Sequence, residues 1–479
     1  MQVEFICNNK SCFVNAPAGK PALDIIRNDI GFKGCREGCR EGECGACAVL
    51  LGSLINDEVK YISAASCLLP AMELQGRHLV SVEGTNSPDL TPLQQIFVEE
   101  NASQCGFCTP GFLISLTQFF FNSEELSIDD ALTAMDGNIC RCTGYGSIRR
   151  AAERLCERYQ PLLDKSKSRL DQLIEWGIVP AYFSGIAARL AGIKSGPAGP
   201  ANLANSLSCG RSGIISGGTD LYIGKGMEAE SSDELISLRN MPELNYIQTE
   251  GRTVKLGGAA TVEALRTDKN VQALVPSVKD DLTLVSSAIL RSRASVAGNL
   301  VNASPIADLA VYLLPFKAQL VLDKIGSRRR VSLNSFFKDY KVIELAGGEI
   351  IAKIEFDVPE NYAFSFLKTS RRKYLDIASV NSAVLADFGG PSKICLTISA
   401  GGLGPIPYYF EYEVSTPEQE GFSASLVEAI NGLASRVSPI SDVRGEADYK
   451  RRLFKNQLAV HFGKLFPDYF YPGEALNEL

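Results

Sequence analysis

The sequence predicts an α+β protein of several domains: a small mixed sheet with one helix, a bundle of four helices, and a longer α+β region. Three observations predict it. At 479 residues the chain suffices for about three domains of roughly 150 residues each. Apolar residues alternate at strand spacing up to residue 86, then recur at helical spacing from 90 to 160. Past a polar stretch and one rich in Gly, Ser, Ala and Pro, strand-like and helical segments mix to the end.

Each element has its own signal. Val3, Phe5 and Cys7, then Cys12 and Val14, then Ala48, Val49 and Leu50, then His78, Leu79 and Val80 read as strands, with a short helix over 21–27. Thr91, Pro92 and Gln94 form a capping box with proline at the first helical position. An apolar helix follows over 111–121, Ser127 and Asp130 start another, and 147–159 carries a fourth. The polar text over 160–175 suits a linker, and 194–213 reads as a second flexible stretch. Further strands are expected at 214–215, 235–238, 254–256, 363–367 and 394–400, with helices between them and at the end. The expected domains are 1–86, 87–162, a linker 163–198, 199–358 and 359–479.

Composition narrows the function. The chain is 45% hydrophobic and 22% charged with a net charge of −7, so core material is ample and nucleic acid is not expected as a partner. The basic runs 328–330 and 371–373 read as solvated loops or strand edges. No stretch of 18 or more apolar residues exists, so no membrane span is expected. The N-terminus reads as a strand rather than a leader. Fourteen cysteines without an export signal then point to reduced thiols, metal ligands and a cytoplasmic setting. Only His78 and His461 occur, which excludes most zinc hydrolase layouts and a histidine-based triad. Catalysis must come from bound cofactors.

Eight cysteines form two patterns. Cys39-x4-Cys44-x2-Cys47 is followed nineteen residues later by Cys67, the spacing by which plant-type ferredoxins hold a [2Fe–2S] cluster. Cys105-x2-Cys108 is followed thirty-one residues later by Cys140-x-Cys142. Gly38, Gly42 and Gly45 let the first loop wrap closely, so that amide N–H groups can point at sulfur. Cys12 and Cys35 are surplus, although Cys35 could stand in for Cys39. A zinc site would want paired CxxC knuckles or histidines, which fits the first set poorly and leaves the second ambiguous. In the second set, Cys140 and Cys142 lie close enough to grip one edge of a small cluster, and both pairs sit at helix N-termini, where peptide dipoles favour negative charge.

The segments CREGECGAC, CGFCTPGF and NICRCTGY, in this order over residues 1 to about 160, resemble the two [2Fe–2S] domains of the molybdenum hydroxylase family. The resemblance implies a β-grasp ferredoxin-like domain with one cluster on Cys39, Cys44, Cys47 and Cys67. It also implies a four-helix domain with another cluster on Cys105, Cys108, Cys140 and Cys142.

A chain of one-electron carriers that ends on nicotinamide needs a flavin to join one- and two-electron steps. Ile214, Ile215, Ser216, Gly217, Gly218, Thr219, Asp220 and Leu221 form a strand running into a Gly-Gly turn, whose amides can make an anion nest. Ser295, Val296, Ala297, Gly298 and Asn299 begin a second small-residue loop that continues to Ser304 and Asp308. Each alone reads as well as a plain turn. Their order resembles the FAD-binding domain of the same family, of the vanillyl-alcohol oxidase type. The resemblance implies pyrophosphate contacts at 217–221 and 295–299, Asp308 near the adenosine or ribityl portion, and further FAD contacts at Ile351 and Lys368. KTSRRKYLDIASV and AGGLGPIP resemble its C-terminal flavoprotein subdomain, also α+β. Two departures stand out: Ala297 where the family often has glycine, and Val285 where vertebrate relatives place an aromatic against the flavin. No G-x-G-x-x-G follows a strand, so NAD⁺ as acceptor is implied by the resemblance alone.

The chain ends just after the flavoprotein segment, so molybdopterin and substrate hydroxylation are expected on a separate large subunit, in a heterotetramer. Clusters and flavin in one chain favour the purine-oxidising branch. Electrons would run from molybdenum to the second cysteine set, then to the first, then FAD, then NAD⁺, with no side chain here needed as acid or base. Two other readings stay open: the same role in a hydroxylase for aldehydes or N-heterocycles, and a non-catalytic module with zinc at its cysteines.

Overall fold

The alternating N-terminal residues pair as β1 (Gln2–Cys7) and β2 (Lys10–Asn15), and Val3, Phe5 and Cys7 point into the core. The structure, a computed structural model, describes residues 1–193, 213–232, 235–324, 327–390 and 393–473. The Gly/Ser-rich stretch 194–212 lies outside them. Two compact units divide the chain: Met1–Met241 with Ser287–Ala294, and Pro242–Ser286 with the described residues from Ser295 on.

In the first unit, β3 (Ala48–Ile55), β4 (Glu58–Ala65) and β5 (His78–Val80) complete a sheet of order β2-β1-β5-β3-β4. Only β1 and β5 run parallel, which is the β-grasp arrangement. The β3–β4 hairpin turns on Asn56 and Asp57, both at positive φ, as a two-residue turn of this hand requires. The helix expected after Pro21 covers Ala22–Asp24 and continues as a π-helical segment, Ile25–Ile30, ended by Gly31 at φ 93.

The four expected helices are present at Pro92–Glu99, Thr109–Asn122, Ile128–Ala134 and Gly146–Tyr159. The capping box forms: Gln94 N donates to Thr91 Oγ1 (3.4 Å) and Thr91 N to Gln94 Oε1 (2.9 Å). Asp130 N donates to Ser127 Oγ at 3.1 Å. Sheet and bundle share one hydrophobic core, in which Phe121 stacks near Tyr61 with centroids 4.6 Å apart.

The stretch expected as a linker is packed instead. Helices Arg169–Glu175 and Ile186–Ala191 lie in it, Leu173, Phe183 and Ile186 are buried, and Tyr182 OH donates to Gly84 O at 2.8 Å. Its polar start obscures an apolar set, Leu170, Leu173, Ile174, Ile178 and Val179, whose burial outweighs the cost of ordering the segment. The unit closes with a parallel pair, β6 (Ile214–Ile215) and β7 (Ile236–Ser237), and the helix Leu221–Ser231.

The second unit contains two antiparallel sheets. β8 (Ile247–Glu250), β9 (Thr253–Gly257), β10 (Gln319–Lys324) and β11 (Ser327–Ser332) join β14 (Ile350–Asp357) in the order β11-β10-β14-β9-β8, with β12 (Phe337–Asp339) and β13 (Val342–Ile343) as a side ribbon. The basic run 328–330 lies on the edge strand β11, and Arg328, Arg329 and Arg330 pair with Asp323, Glu349 and Glu355. The meander β15 (Tyr362–Thr369), β16 (Val380–Asp387), β17 (Lys393–Gly401) and β18 (Tyr408–Ser415) is covered by helices Phe422–Ser435 and Ala447–Leu465.

Both histidines are buried and held neutral. Burial pushes His78 down to about 4, while Tyr61 OH donates to its Nδ1 and its Nε2 donates to Asn8 O. Burial likewise pushes His461 to about 3 between Ser365 and Ser382. No described helix is long and apolar enough to cross a membrane.

Candidate functional site

The eight patterned thiols gather two by two, all in the first unit. Cys47 and Cys67 are buried with their sulfurs 3.4 Å apart. Cys39 and Cys44 share a hydrogen bond, which with the amides of Glu41, Glu43 and Cys44 pulls the Cys39 thiol down to about 5 against the effect of burial; Cys44 is pushed up. Glu41 N donates to Cys39 Sγ at 3.3 Å, the amide-to-sulfur bond that the glycine-rich loop was expected to supply. Gly38 is required there, since a Cβ would sit 2.6 Å from Cys44 Sγ. Cys35 has its Sγ on Cys47 O and Ser66 Oγ, each at 3.2 Å.

The second set pairs across its two motifs. Cys105 Sγ lies 3.6 Å from Cys142 Sγ, and Cys108 shares a hydrogen bond with Cys140. Cys140 and Cys142 therefore do not grip one edge together, as the sequence suggested. Alternate residues of the CxC turn project apart, and each meets one thiol of the CxxC turn. Cys108 directly precedes the helix Thr109–Asn122, without a side-chain capping bond. Cys140 Sγ meets the Thr143 hydroxyl at 3.1 Å and its N–H at 3.5 Å; these outweigh burial and lower the thiol. Cys105 and Cys142 are exposed, and so are the apolar residues near them in sequence, Phe107, Ile139 and Tyr145.

One peptide group joins the sets. Ile139 N, the residue before Cys140, donates to Cys44 O at 3.0 Å, and Asn138 Nδ2 donates to Gly45 O at 3.2 Å. Among the described residues no three metal-ligating groups converge on one ion. Thiols gathered in pairs fit a binuclear [2Fe–2S] unit, with two thiolates per iron, better than a single tetrahedral ion.

The glycine loops divide between the units. In the first, β6 leads to Ser216 and the Gly217–Gly218 turn, with Gly218 at φ 76 and the helix Leu221–Ser231 beyond it. A Cβ on Gly217 would meet Arg293 O at 2.4 Å. Ser216 Oγ is buried without a partner, and the amides of Gly218 and Thr219 donate to no acceptor among the described residues. In the second unit, Ser295 caps the helix Val296–Asn302 through Gly298 N (3.0 Å), and Asn299 Oδ1 is buried without a partner. Ser304 Oγ accepts from Ile306 N at 3.4 Å. Lys368 Nζ meets Asp308 Oδ2 at 2.7 Å and donates to Leu284 O at 2.8 Å; Asn381 Nδ2 donates to Asp308 Oδ1 at 2.6 Å. Ile351 is buried in β14, and Val285 is buried beside Leu284. Orphaned polar atoms, free amides and a turn too tight for a Cβ suit a polar dinucleotide.

Sequence reasoning missed three participants. Asn381 could have been found as a polar residue in an apolar strand. Glu73 and Arg293, fully buried and 2.8 Å apart, belong to no spacing pattern.

Comparison with known proteins bears on both parts. Residues 81–153 match a [2Fe-2S] binding domain, 197–359 the FAD binding domain in molybdopterin dehydrogenase, and 365–464 the CO dehydrogenase flavoprotein C-terminal domain. Xanthine dehydrogenase of Dictyostelium discoideum is 28% identical over 455 residues, covering 79% of this chain and 33% of that protein. Xanthine dehydrogenase/oxidase of Rattus norvegicus is 25% identical, covering 80% and 32%. The chain thus spans about a third of the length of these relatives. A solved carbon monoxide dehydrogenase chain from Hydrogenophaga pseudoflava shares the fold at TM-score 0.50 and 20% identity, covering 55% of this chain and 94% of that one. The [2Fe–2S]-binding helices, the FAD-binding domain and the flavoprotein C-terminal domain, in this order, make the chain a member of the molybdenum hydroxylase family, of which it carries the iron–sulfur and flavin portion.

Proposed function

We propose that this chain is the electron-carrying part of a xanthine dehydrogenase, taking electrons from purine hydroxylation on a separate molybdenum-containing subunit and delivering them to NAD⁺. Two such pairs of chains would form the working heterotetramer, in the cytoplasm. Bound [2Fe–2S] clusters supply one-electron transfer and bound FAD supplies the conversion to hydride.

The residues divide this work. Cys105, Cys108, Cys140 and Cys142 would hold one cluster where the thiols of Cys105 and Cys142 face solvent, a place suited to docking an electron donor. Cys39, Cys44, Cys47 and Cys67 would hold the other, with Cys47 and Cys67 buried and Cys39 and Cys44 half-buried. The turn 214–221 and residues 295–299, 304, 308, 351 and 368 would hold FAD. Lys368 and Asp308 neutralise one another and so can present hydrogen bonds without net charge.

The observation that carries this reading is the Ile139 N–H to Cys44 carbonyl bond, which links the backbones of the two thiol sets directly. An anaerobic visible spectrum of the purified chain, before and after NADH, tests it. Flavin and iron–sulfur absorbance bleached by NADH is the expected result. Colour that NADH does not bleach would remove NAD⁺ as the acceptor, and a colourless chain containing zinc would remove the whole reading.

A further inference from the structure

The Gly217–Gly218 turn is clasped from behind by charges that no glycine motif calls for. Glu73, on the segment downstream of Cys67, is fully buried; its Oε2 accepts from Arg293 Nη1 at 2.8 Å and lies 3.8 Å from Arg239 Nε. Its Oε1 accepts from Ser237 Oγ at 2.9 Å. The other prong of Arg293, Nη2, donates to Gly217 O at 3.1 Å, and Arg239 Nη1 donates to Arg293 O at 3.2 Å. Burial alone would push the Glu73 carboxyl up, but Arg293, Arg239 and Arg77 reverse this and hold it at about 2. The carboxylate is therefore ionised, and one negative charge faces more than one guanidinium.

Stability does not explain the arrangement, because a buried ion pair returns little more than its desolvation costs. Its direction does. The Arg293 fork ties down the one carbonyl that would otherwise be free to turn toward an anion. The Nε atoms of Arg239 and Arg293 and the hydroxyl of Ser216, all buried, make no hydrogen bond among the described residues, although Arg239 Nε keeps its ion pair with Glu73. Positive charge in excess, behind a turn whose amides face no acceptor among the described residues, suits an anion.

We propose that Glu73 and Arg293 are positioning residues for the flavin: Glu73, on the segment that follows Cys67, holds Arg293, which fixes the Gly217 carbonyl and with Arg239 sets positive charge behind the turn that receives the dinucleotide's diphosphate. This rests on the reading of 214–221 as that turn. It makes FAD affinity depend on a carboxylate in the cysteine-bearing domain.

The test removes the pair as a unit, Glu73→Gln with Arg293→Met, while Arg239 and Arg77 keep their charges, so folding is followed beside binding. Holoprotein is stripped of FAD and titrated with FAD by flavin fluorescence, with visible circular dichroism of the iron–sulfur centres and thermal melting recorded alongside. The expected result is a Kd raised about tenfold or more, the scale of one lost charge-assisted hydrogen bond, with dichroism and melting unchanged. FAD affinity within twofold of the original overturns the proposal, as does a loss of affinity that melting and dichroism follow in proportion. If the double variant does not fold, Arg293→Lys keeps the charge and removes the fork; weakened FAD binding with intact dichroism supports the proposal, and unchanged binding overturns it. Gly218→Val tests the underlying reading separately: normal FAD binding there removes the turn as the diphosphate site, whatever the double variant shows.

Discussion

The two thiol sets stand close in the molecule but differ in exposure. Cys47 and Cys67 are 2% and 4% exposed within the shared core, whereas Cys105 and Cys142 lie open on the surface. The first set is built by a glycine-rich loop laid on a sheet, so the sheet's core closes over Cys47 and Cys67 while Cys39 and Cys44 stay half-buried. The second is built where helices begin and end, at the surface of a small bundle. A buried centre is shielded and an exposed one is reachable, so a chain holding both has an inner and an outer end.

Exchanging one thiol in each set gives the largest contrast. Cys67→Ser is expected to abolish one [2Fe–2S] signal and lower stability, because an unpaired buried hydroxyl costs ~1–3 kcal/mol and metal-linked folding energy is lost as well. Cys142→Ser should abolish the other signal with little change in melting. Equal destabilisation by the two would break the comparison. Asn138→Ala comes next: it removes a buried side chain bonded to Gly45 O and Ser115 Oγ, and a loss of about 2 kcal/mol in urea unfolding is expected.

Acid should act through both buried histidines, of which His78 belongs to the unit that carries the thiols. His78 has its folded pKa lowered from 6.5 to about 4, so the unfolded chain takes the proton first and stability falls as pH drops from 6.5 through 4. Between pH 7.5 and 5.5 this amounts to about 1 kcal/mol. His78→Gln should not show that part of the loss in melts at the two pH values; an unchanged slope would contradict it. The smallest effect is at the outer set. Thr143→Val removes the hydroxyl from Cys140 Sγ and should lower the midpoint potential of the outer centre alone, since hydrogen bonds to sulfur favour the reduced cluster. Potentiometric titration followed by EPR reads both centres at once.

Much of this was legible in the residues, because local chemistry wrote it. Thr91 and Gln94 announce a helix start, Ser127 and Asp130 another, and the x4-x2 spacing a loop that can present sulfur. What escaped depends on pairing through space. The crossing of Cys140 and Cys142 onto Cys108 and Cys105 follows from how two turns face each other, not from either motif. The segment 163–193 hides buried apolar residues behind a polar entrance. Glu73 and Arg293 are 220 positions apart, and charged residues at such separation carry no sign that they will be buried together.

The central claim is that the chain holds two [2Fe–2S] centres, adjacent and unequal in exposure. Low-temperature EPR of the dithionite-reduced holoprotein, with Cys67→Ser and Cys142→Ser beside it, tests this most directly. The account requires two distinguishable signals that split one another, each variant removing a different one. A single signal removed by either substitution, or none in a protein that contains zinc, would contradict it.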